Sequence, residues 1–459
     1  MYIKSMNISK LHGIYNYNIE FNEDITILYG ENGSGKTTIL AMLESILTAQ
    51  IWQLFQYEFH SIIVESDTKY SISINKCIDN ESGLYLKVEI KDNSKEENIR
   101  ISDDKIFHNV ITSLSTNDYS DRVLKTKLNK IYPIIAKLDE LFNDLYLPVN
   151  RLSASTQDDR SPIKKHQRYE TDIDNSLDFA IELISREHRI AESRKFRYNE
   201  EFKNEILSST LGIINENPLE FLSSPDFVDF DKIDELQNKY LNMFNNLNMS
   251  NNSHQIGEFF KNYKEKLTAV LQHYISERME LKNTVENESQ VDYMKFFIEV
   301  SEIIRMRKIL PIAENLEKRL SDTSLKINIF VEIVNSFFED SMERKEIILD
   351  NFGRPYFKID GRSDKISLYQ LSSGEKQIII LFANLVLTRN YTGKKIFKDI
   401  FISDEPEISL HMLWQMKLIP NILKSRKKLQ IILATHSPEI VGEFEHRMFE
   451  LKKERVANE

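Results

Sequence analysis

Gly30 to Thr38 read GENGSGKTT: three glycines, a lysine and two threonines between the apolar run DITILY and a stretch with helical spacing. The whole chain has only 12 glycines, so three this close together call for a backbone reason. The spacing fits G-x-x-x-x-G-K-[ST] without a gap, a loop that offers a polyphosphate backbone amides and the positive end of a helix dipole. On that pattern the amides of Asn32, Gly33, Ser34, Gly35, Lys36, Thr37 and Thr38 wrap the phosphates. The Lys36 ammonium reaches the β and γ groups, and the Thr37 hydroxyl is a ligand for Mg2+. A glycine turn that only opens a helix is the plainer alternative, and the flanking strand and helix are those the phosphate loop demands.

Two more apolar runs end in polar tips. FISDEPEISLHM, Phe401 to Met412, delivers Asp404 and Glu405 at successive positions that point opposite ways. Asp404 is placed to hold Mg2+ through water, and Glu405 to accept a proton from an attacking water. Glu407, after Pro406, is read as structural support. Alone, the two acids could be a solvated strand end; the phosphate loop changes that balance. IILATHSPEIV, Ile431 to Val441, ends its apolar part at His436, whose imidazole could bond a γ phosphate or the attacking water. In isolation it would read as a satisfied histidine at a strand end. LSSGEKQIIILFANLVL, Leu371 to Leu387, starts a second helix with Ser372 or Ser373 as N-cap, and the question is what its exposed amides face.

These residues need a scaffold. From Met1 to about Ser102 short alternating runs predict strands around one helix from Lys36 to about Thr48, an α/β opening. Helical spacing follows to about Tyr146, and LYLPVNRL predicts a return strand ending near Pro148. Residues 154–336 predict a helical insertion without a sustained heptad seam, too compact for a long coiled-coil arm. Strands and helices resume from 337 to 459, so the α/β part is assembled from 1–153 and 337–459 around the insertion. A basic run in the insertion, Arg186, Arg189, Arg194, Lys195 and Arg197, with Lys164, Lys165 and Arg168 before it, could touch nucleic acid. The interleaved Glu187, Glu192, Glu200 and Glu201 favour a solvated face. Lys424 to Lys428, KSRKK, predicts a helix C-terminal cap.

Composition narrows the classes. The chain has 459 residues, 41% apolar and 29% charged, so it folds throughout, and a formal charge of -11 argues against a cationic coat for nucleic acid. A single cysteine, Cys77, excludes an intrachain disulfide and a four-cysteine zinc site; a small buried hydrophobe is expected. MYIKSMNISKLHG lacks the apolar stretch of a cleaved leader, and the longest apolar run, Ile378 to Leu387, is too short for a bilayer and contains Asn384. A cytoplasmic chain without membrane contact is expected.

The order GENGSGKT, LSSGEKQ, FISDEPEISLH, ILATHS resembles the P-loop NTPase heads of ABC type in the SMC and recombination-repair class, over roughly the first 150 and last 125 residues. That resemblance implies a mixed sheet flanked by helices and interrupted by the helical insertion. It also implies an ATPase whose signature residues Ser372, Ser373, Gly374 and Glu375 close in trans over ATP held by another copy, in a homodimer of heads or a higher oligomer. The first usual signature glycine is Ser373 here, the D-loop falls at Ser409, Leu410 and His411, and Gln157 is the Q-loop candidate by position alone. The short form is similar to ATPases of prokaryotic antiviral systems such as PARIS and Septu. For those, a separately encoded effector, commonly a nuclease, is the implied partner. The stretch from His436 to Glu459 is too short for the nuclease domain of OLD-type relatives, so the expected role is sensor or scaffold. A RecF-like repair ATPase that clamps duplex DNA is the alternative.

Overall fold

A computed structural model describes residues 2–68, 70–79, 83–92, 95–102, 133–142, 146–148, 172–211, 229–246, 253–279, 287–339, 344–362, 364–388, 399–426 and 428–455. Gln157, Lys164, Lys165 and Arg168 lie outside them. The described residues divide into two compact units, 1–187 with 327–459, and 188–326.

In the first unit the strands sort by polarity. β1 (Ile3–Leu11), β2 (Tyr15–Glu20), β4 (Ser61–Ser66), β5 (Ser71–Asp79), β6 (Gly83–Asp92), β7 (Lys95–Ser102) and β15 (Glu454–Arg455) form a seven-stranded antiparallel sheet in the order β15-β2-β1-β4-β5-β6-β7. β3 (Ile25–Tyr29), β8 (Tyr146–Pro148), β12 (Asp399–Asp404), β13 (Leu429–Ala434) and β14 (Met448–Glu450) form a five-stranded parallel sheet in the order β14-β3-β13-β12-β8. β9 (Lys345–Leu349), β10 (Pro355–Ile359) and β11 (Lys365–Ile366) make a small antiparallel sheet. Strands from the two ends of the sequence thus interleave in the parallel sheet, with the adjacent C-terminal pair β13 and β12 between β3 and β8, so this unit is assembled from both ends of the chain.

Helix α1 (Lys36–Leu47) shares one apolar cluster with Met6 and Ile8 of β1, Ile62 and Val64 of β4, Ile135 and Leu138 of α2 (Pro133–Phe142), and Ile400, Ile402 and Ile432 of the parallel sheet. The opposite set, Phe401, Ile431 and Leu433, packs with α7 (Ser373–Leu387), α8 (Met412–Ser425), and parts of α3 (Asp172–Leu211) and α6 (Asn287–Phe338). Both faces of β12 and β13 are therefore covered. They are accordingly buried almost without interruption, with the apolar runs Ile400–Ile402 and Ile431–Ala434, while β1 and β2 mix buried and exposed positions.

In the second unit, α4 (Phe230–Asn246), α5 (Ser253–Met279) and the middle of α6 pack around Leu236, Tyr240, Phe260, Tyr263, Val300 and Ile304. Within the basic run on α3, two residues meet acids of their own helix: Lys195 pairs with Glu192 at 2.8 Å and Arg197 lies 3.6 Å from Glu201.

Two expectations are revised. Cys77, expected to be buried, is only partly so, on β5 opposite Tyr85. KSRKK does not simply cap its own helix. The Arg426 guanidinium reaches across to the end of α7, donating to Leu385 O and to the Thr388 hydroxyl at 2.7 Å, and pairs with Asp399 at 2.6 Å. It thereby ties the signature helix to the start of β12. Both charged side chains are about nine-tenths buried (11% and 10% exposed), so Arg426→Met removes one member of a buried ion pair and is expected to cost about 3–5 kcal/mol. Urea unfolding reads this directly, and a loss below about 1 kcal/mol, the range of exposed pairs, would contradict it.

Candidate functional site

Register brings three strand tips to one edge of the parallel sheet. Leu28 of β3 pairs with Ala434 of β13, and Ala434 pairs with Asp404 of β12. The residues that follow, the Gly30 loop, Thr435–His436 and Glu405, therefore leave the sheet side by side. The carboxyl ends of a parallel sheet are where ligands of such folds bind.

After β3 the loop turns through Gly33 at φ 75° and Gly35 at φ 99°, left-handed values that glycine adopts without penalty. At Gly35 a Cβ would also come within 3.0 Å of the Tyr17 hydroxyl, which donates to Ser34 O at 2.9 Å and props the loop from beneath. Lys36 is 6% exposed and its ammonium donates to Gly30 O at 2.9 Å and Glu31 O at 3.2 Å. No side chain caps the start of α1. Its first-turn amides, which the helix cannot satisfy internally, are available to an anion, so the loop fits a polyphosphate.

The Thr37 hydroxyl donates to Asp404 Oδ2 at 2.7 Å, joining the two expected Mg2+ ligands. Among the described residues no group of three His, Cys, Asp or Glu side chains could cage a metal. One hydroxyl and one carboxylate beside a phosphate loop suit a small hard cation that completes its shell with phosphate oxygens and water. Glu405 follows at φ 45°, a left-handed value rare for a residue with a side chain, with its N–H donating to Ala434 O at 2.7 Å. Strain of this kind costs about 1–3 kcal/mol and persists where surrounding structure imposes it. His436 is exposed at the end of the neighbouring strand.

The second helix start is built differently. Ser372 is the N-cap of α7 in a capping box: its hydroxyl accepts from the Glu375 amide, and the Glu375 carboxylate accepts from the Ser372 amide at 2.8 Å. Lys345 holds the same carboxylate at 3.0 Å, and Lys376 pairs with Asp174 at 2.8 Å. Burial alone would push the Glu375 carboxyl up, but the Ser372 amide, the Lys345 ammonium and the Ser372 hydroxyl together hold it below the usual carboxylate range. The stability this contributes is complete above the ordinary Glu value and is lost as pH falls through the depressed one, so the helix start stays capped at neutral pH. Glu375 is thus committed within the turn, and the amides of Ser373 and Gly374 are the donors left for a ligand. Gly374 cannot be replaced: a Cβ there would lie 2.3 Å from Ser409 O, the backbone of the turn after β12. Ser409 itself has φ 71°, and His411 caps α8 by accepting from the Leu413 amide.

The phosphate loop, the paired acids and the histidine are brought together, whereas Ser372–Glu375 form a separate helix start. Sequence reasoning missed Tyr17, which nothing in its strand pattern marks. The supporting role expected of Glu407 takes the form of a grip on the end of the histidine strand: its Oε1 accepts from the Thr435 hydroxyl at 2.7 Å and the His436 amide at 3.0 Å.

The AAA ATPase domain family matches residues 1–441. The Retron Vc95 probable ATPase of Vibrio cholerae serotype O1 biovar El Tor is 21% identical over 429 residues, 91% of this chain and 67% of that protein. The Retron Ec83 probable ATPase of Escherichia coli is 27% identical over 147 residues, 28% of this chain and 27% of that protein. Endonuclease GajA of Bacillus cereus (strain VD045) is 34% identical over 95 residues, 20% of this chain and 15% of that protein. Among the described residues no helix is long and apolar enough to cross a membrane.

Proposed function

The chain belongs to the AAA ATPase domain family, and from that premise we propose that it binds and hydrolyses ATP at sites shared between two copies and controls a separately encoded nuclease in antiviral defence. The observation that carries the ATPase reading is the register of β3, β13 and β12, which lines up the Gly30 loop, His436 and Asp404–Glu405 at one sheet edge.

In this reading the amides from Asn32 to Thr38 and the Lys36 ammonium hold the triphosphate, and Thr37 and Asp404 hold Mg2+. The cation, when bound, neutralises charge that develops on the phosphate oxygens. Glu405 takes the proton of the attacking water, and His436 orients that water or the terminal phosphate. The amides of Ser373 and Gly374, set by Ser372 and Glu375, close over the nucleotide of a second copy and add a second helix dipole to it.

A second copy is supported by the surface beside that helix start. Ile408, Met412, Leu413 and Met416 are 42–57% exposed; Ile408 directly precedes Ser409, against which Gly374 packs, and Met412 follows three residues later at the start of α8. Four large apolar side chains continuous with the signature turn are suited to an interface between heads. Met412→Glu with Met416→Glu is expected to weaken ATP-dependent self-association by at least about tenfold, since paired copies would bury like charges. Sedimentation with and without ATP measures this, and unchanged association would remove the patch from the interface.

The defence role rests on the motif order and on relatives bearing the names of retron ATPases and an endonuclease. Salt-resistant co-purification with the product of an adjacent reading frame supports an effector. Retention of short duplex DNA with a steep salt dependence would replace the scaffold with a clamp.

A further inference from the structure

β13 ends at Ala434, so among the described residues no ladder bond fixes the backbone of His436, and an exposed imidazole on an unheld backbone would sample many positions. Glu407 supplies the missing restraint. One carboxylate oxygen accepts both the Thr435 hydroxyl and the His436 amide, at 2.7 and 3.0 Å. The other oxygen is buried and makes no hydrogen bond among the described residues. A buried carboxylate oxygen left unpaired is a cost for stability alone, and such groups are found where the arrangement serves something else.

The segment is gripped from a second side. The Thr435 oxygen accepts the Ser437 amide at 2.9 Å, and the Ser437 hydroxyl lies 2.7 Å from Gln415 Oε1. The Gln415 side-chain Nε2 donates to Leu410 O at 2.9 Å, and the Leu410 backbone amide donates to Glu407 O at 2.9 Å. The turn that begins at Glu405 also closes on itself, with the Ile408 amide donating to Glu405 O at 3.2 Å. A single turn therefore carries the acid Glu405 and holds the backbone of His436.

We propose that Glu407 is a positioning residue that fixes His436 relative to Glu405 through the acceptor bonds of its Oε1 to Thr435 and His436. This rests on the role given above to His436. Misplacement of a reacting group by about an ångström can cost about a hundredfold in rate, so a restraint of this kind belongs to turnover and not to nucleotide affinity.

The test is a double-mutant cycle on ATP turnover, with ATP affinity measured alongside. Glu407→Ala is expected to lower kcat at least about tenfold with the ATP dissociation constant within about twofold of the unmodified chain. Glu407→Gln keeps the acceptor oxygen and is expected to stay within about threefold of normal kcat. In a His436→Ala background, Glu407→Ala is expected to add less than about twofold further loss. Additive losses, or a glutamine variant as impaired as the alanine one, would overturn the proposal. If Glu407→Ala fails to fold, Thr435→Val carries the test, since at nearly constant volume it removes the hydroxyl bond to Glu407, together with the Ser437 amide bond to the same oxygen. Its loss should likewise vanish in the His436→Ala background, and persistence there would overturn the proposal. A His436→Ala chain with normal kcat would sink the role of the histidine itself, and Glu407 positioning with it. Reduced kcat with additivity would sink the positioning alone.

Discussion

Lys36→Ala is expected to abolish ATP binding, lowering affinity by at least about a hundredfold, because hydrogen bonds to charged groups contribute about 1.5–3 kcal/mol each. Lys36 is buried to 6% exposure at the mouth of α1, where its ammonium bonds the carbonyls of Gly30 and Glu31. Those are the bonds a triphosphate would draw it from. The substitution removes the charge that faces the β and γ phosphates and loosens the loop whose glycines shape the amide cradle. Titration calorimetry with ATP reads the effect, and an unshifted melting temperature without nucleotide separates it from misfolding. Affinity within a few-fold of normal would exclude the Gly30 loop as the phosphate site.

Glu405→Gln is expected to have the opposite signature, with ATP affinity retained and turnover reduced by about a hundredfold to ten-thousandfold, the range of a lost general base. Glutamine matches glutamate in size and keeps the N–H bond to Ala434 O and the left-handed backbone at φ 45°. The local fold should survive while the proton acceptor does not. Single-turnover hydrolysis, with sedimentation to detect an accumulated ATP-bound pair, measures both halves of the prediction. Turnover within threefold of normal would assign the base to another residue.

Much of this site could be read from the chain because its parts are local. The phosphate loop is a contiguous pattern between a strand and a helix, and Ser372 three residues before Glu375 is a capping box that the structure contains. β1, β2, β4 and β5 announce themselves by alternation. β7 was harder, since KEENIRIS is mostly polar and its place depends on pairing with β6. What was not legible depends on register and on contacts distant in sequence. β12 and β13 are buried at almost every position, so no in-and-out alternation specifies which residues pair, and the alignment of Asp404 with Ala434 comes from the fold. The Glu407 contacts to Thr435 and His436, the fit of Gly374 on Ser409, and the Arg426 bridge to α7 all follow from that alignment. None has a sequence-local signature.

The left-handed residues give the same lesson from the backbone. Gly33 and Gly35 predict their own conformation, whereas Glu405 and Ser409 adopt positive φ against their intrinsic preference. Their strain marks the turn that joins the acids to the signature helix.

The shared site itself is tested most directly by mixing two chains that are each inactive. Ser373→Arg places a bulky cation at the signature turn and leaves the phosphate loop intact; Lys36→Ala does the reverse. Random pairing of equal amounts should give mixed pairs with one complete site, recovering about a quarter of normal turnover if two copies close in a twofold pair. A site complete within one chain would leave the mixture as inactive as its components, or leave Ser373→Arg active by itself, and either result would contradict the account.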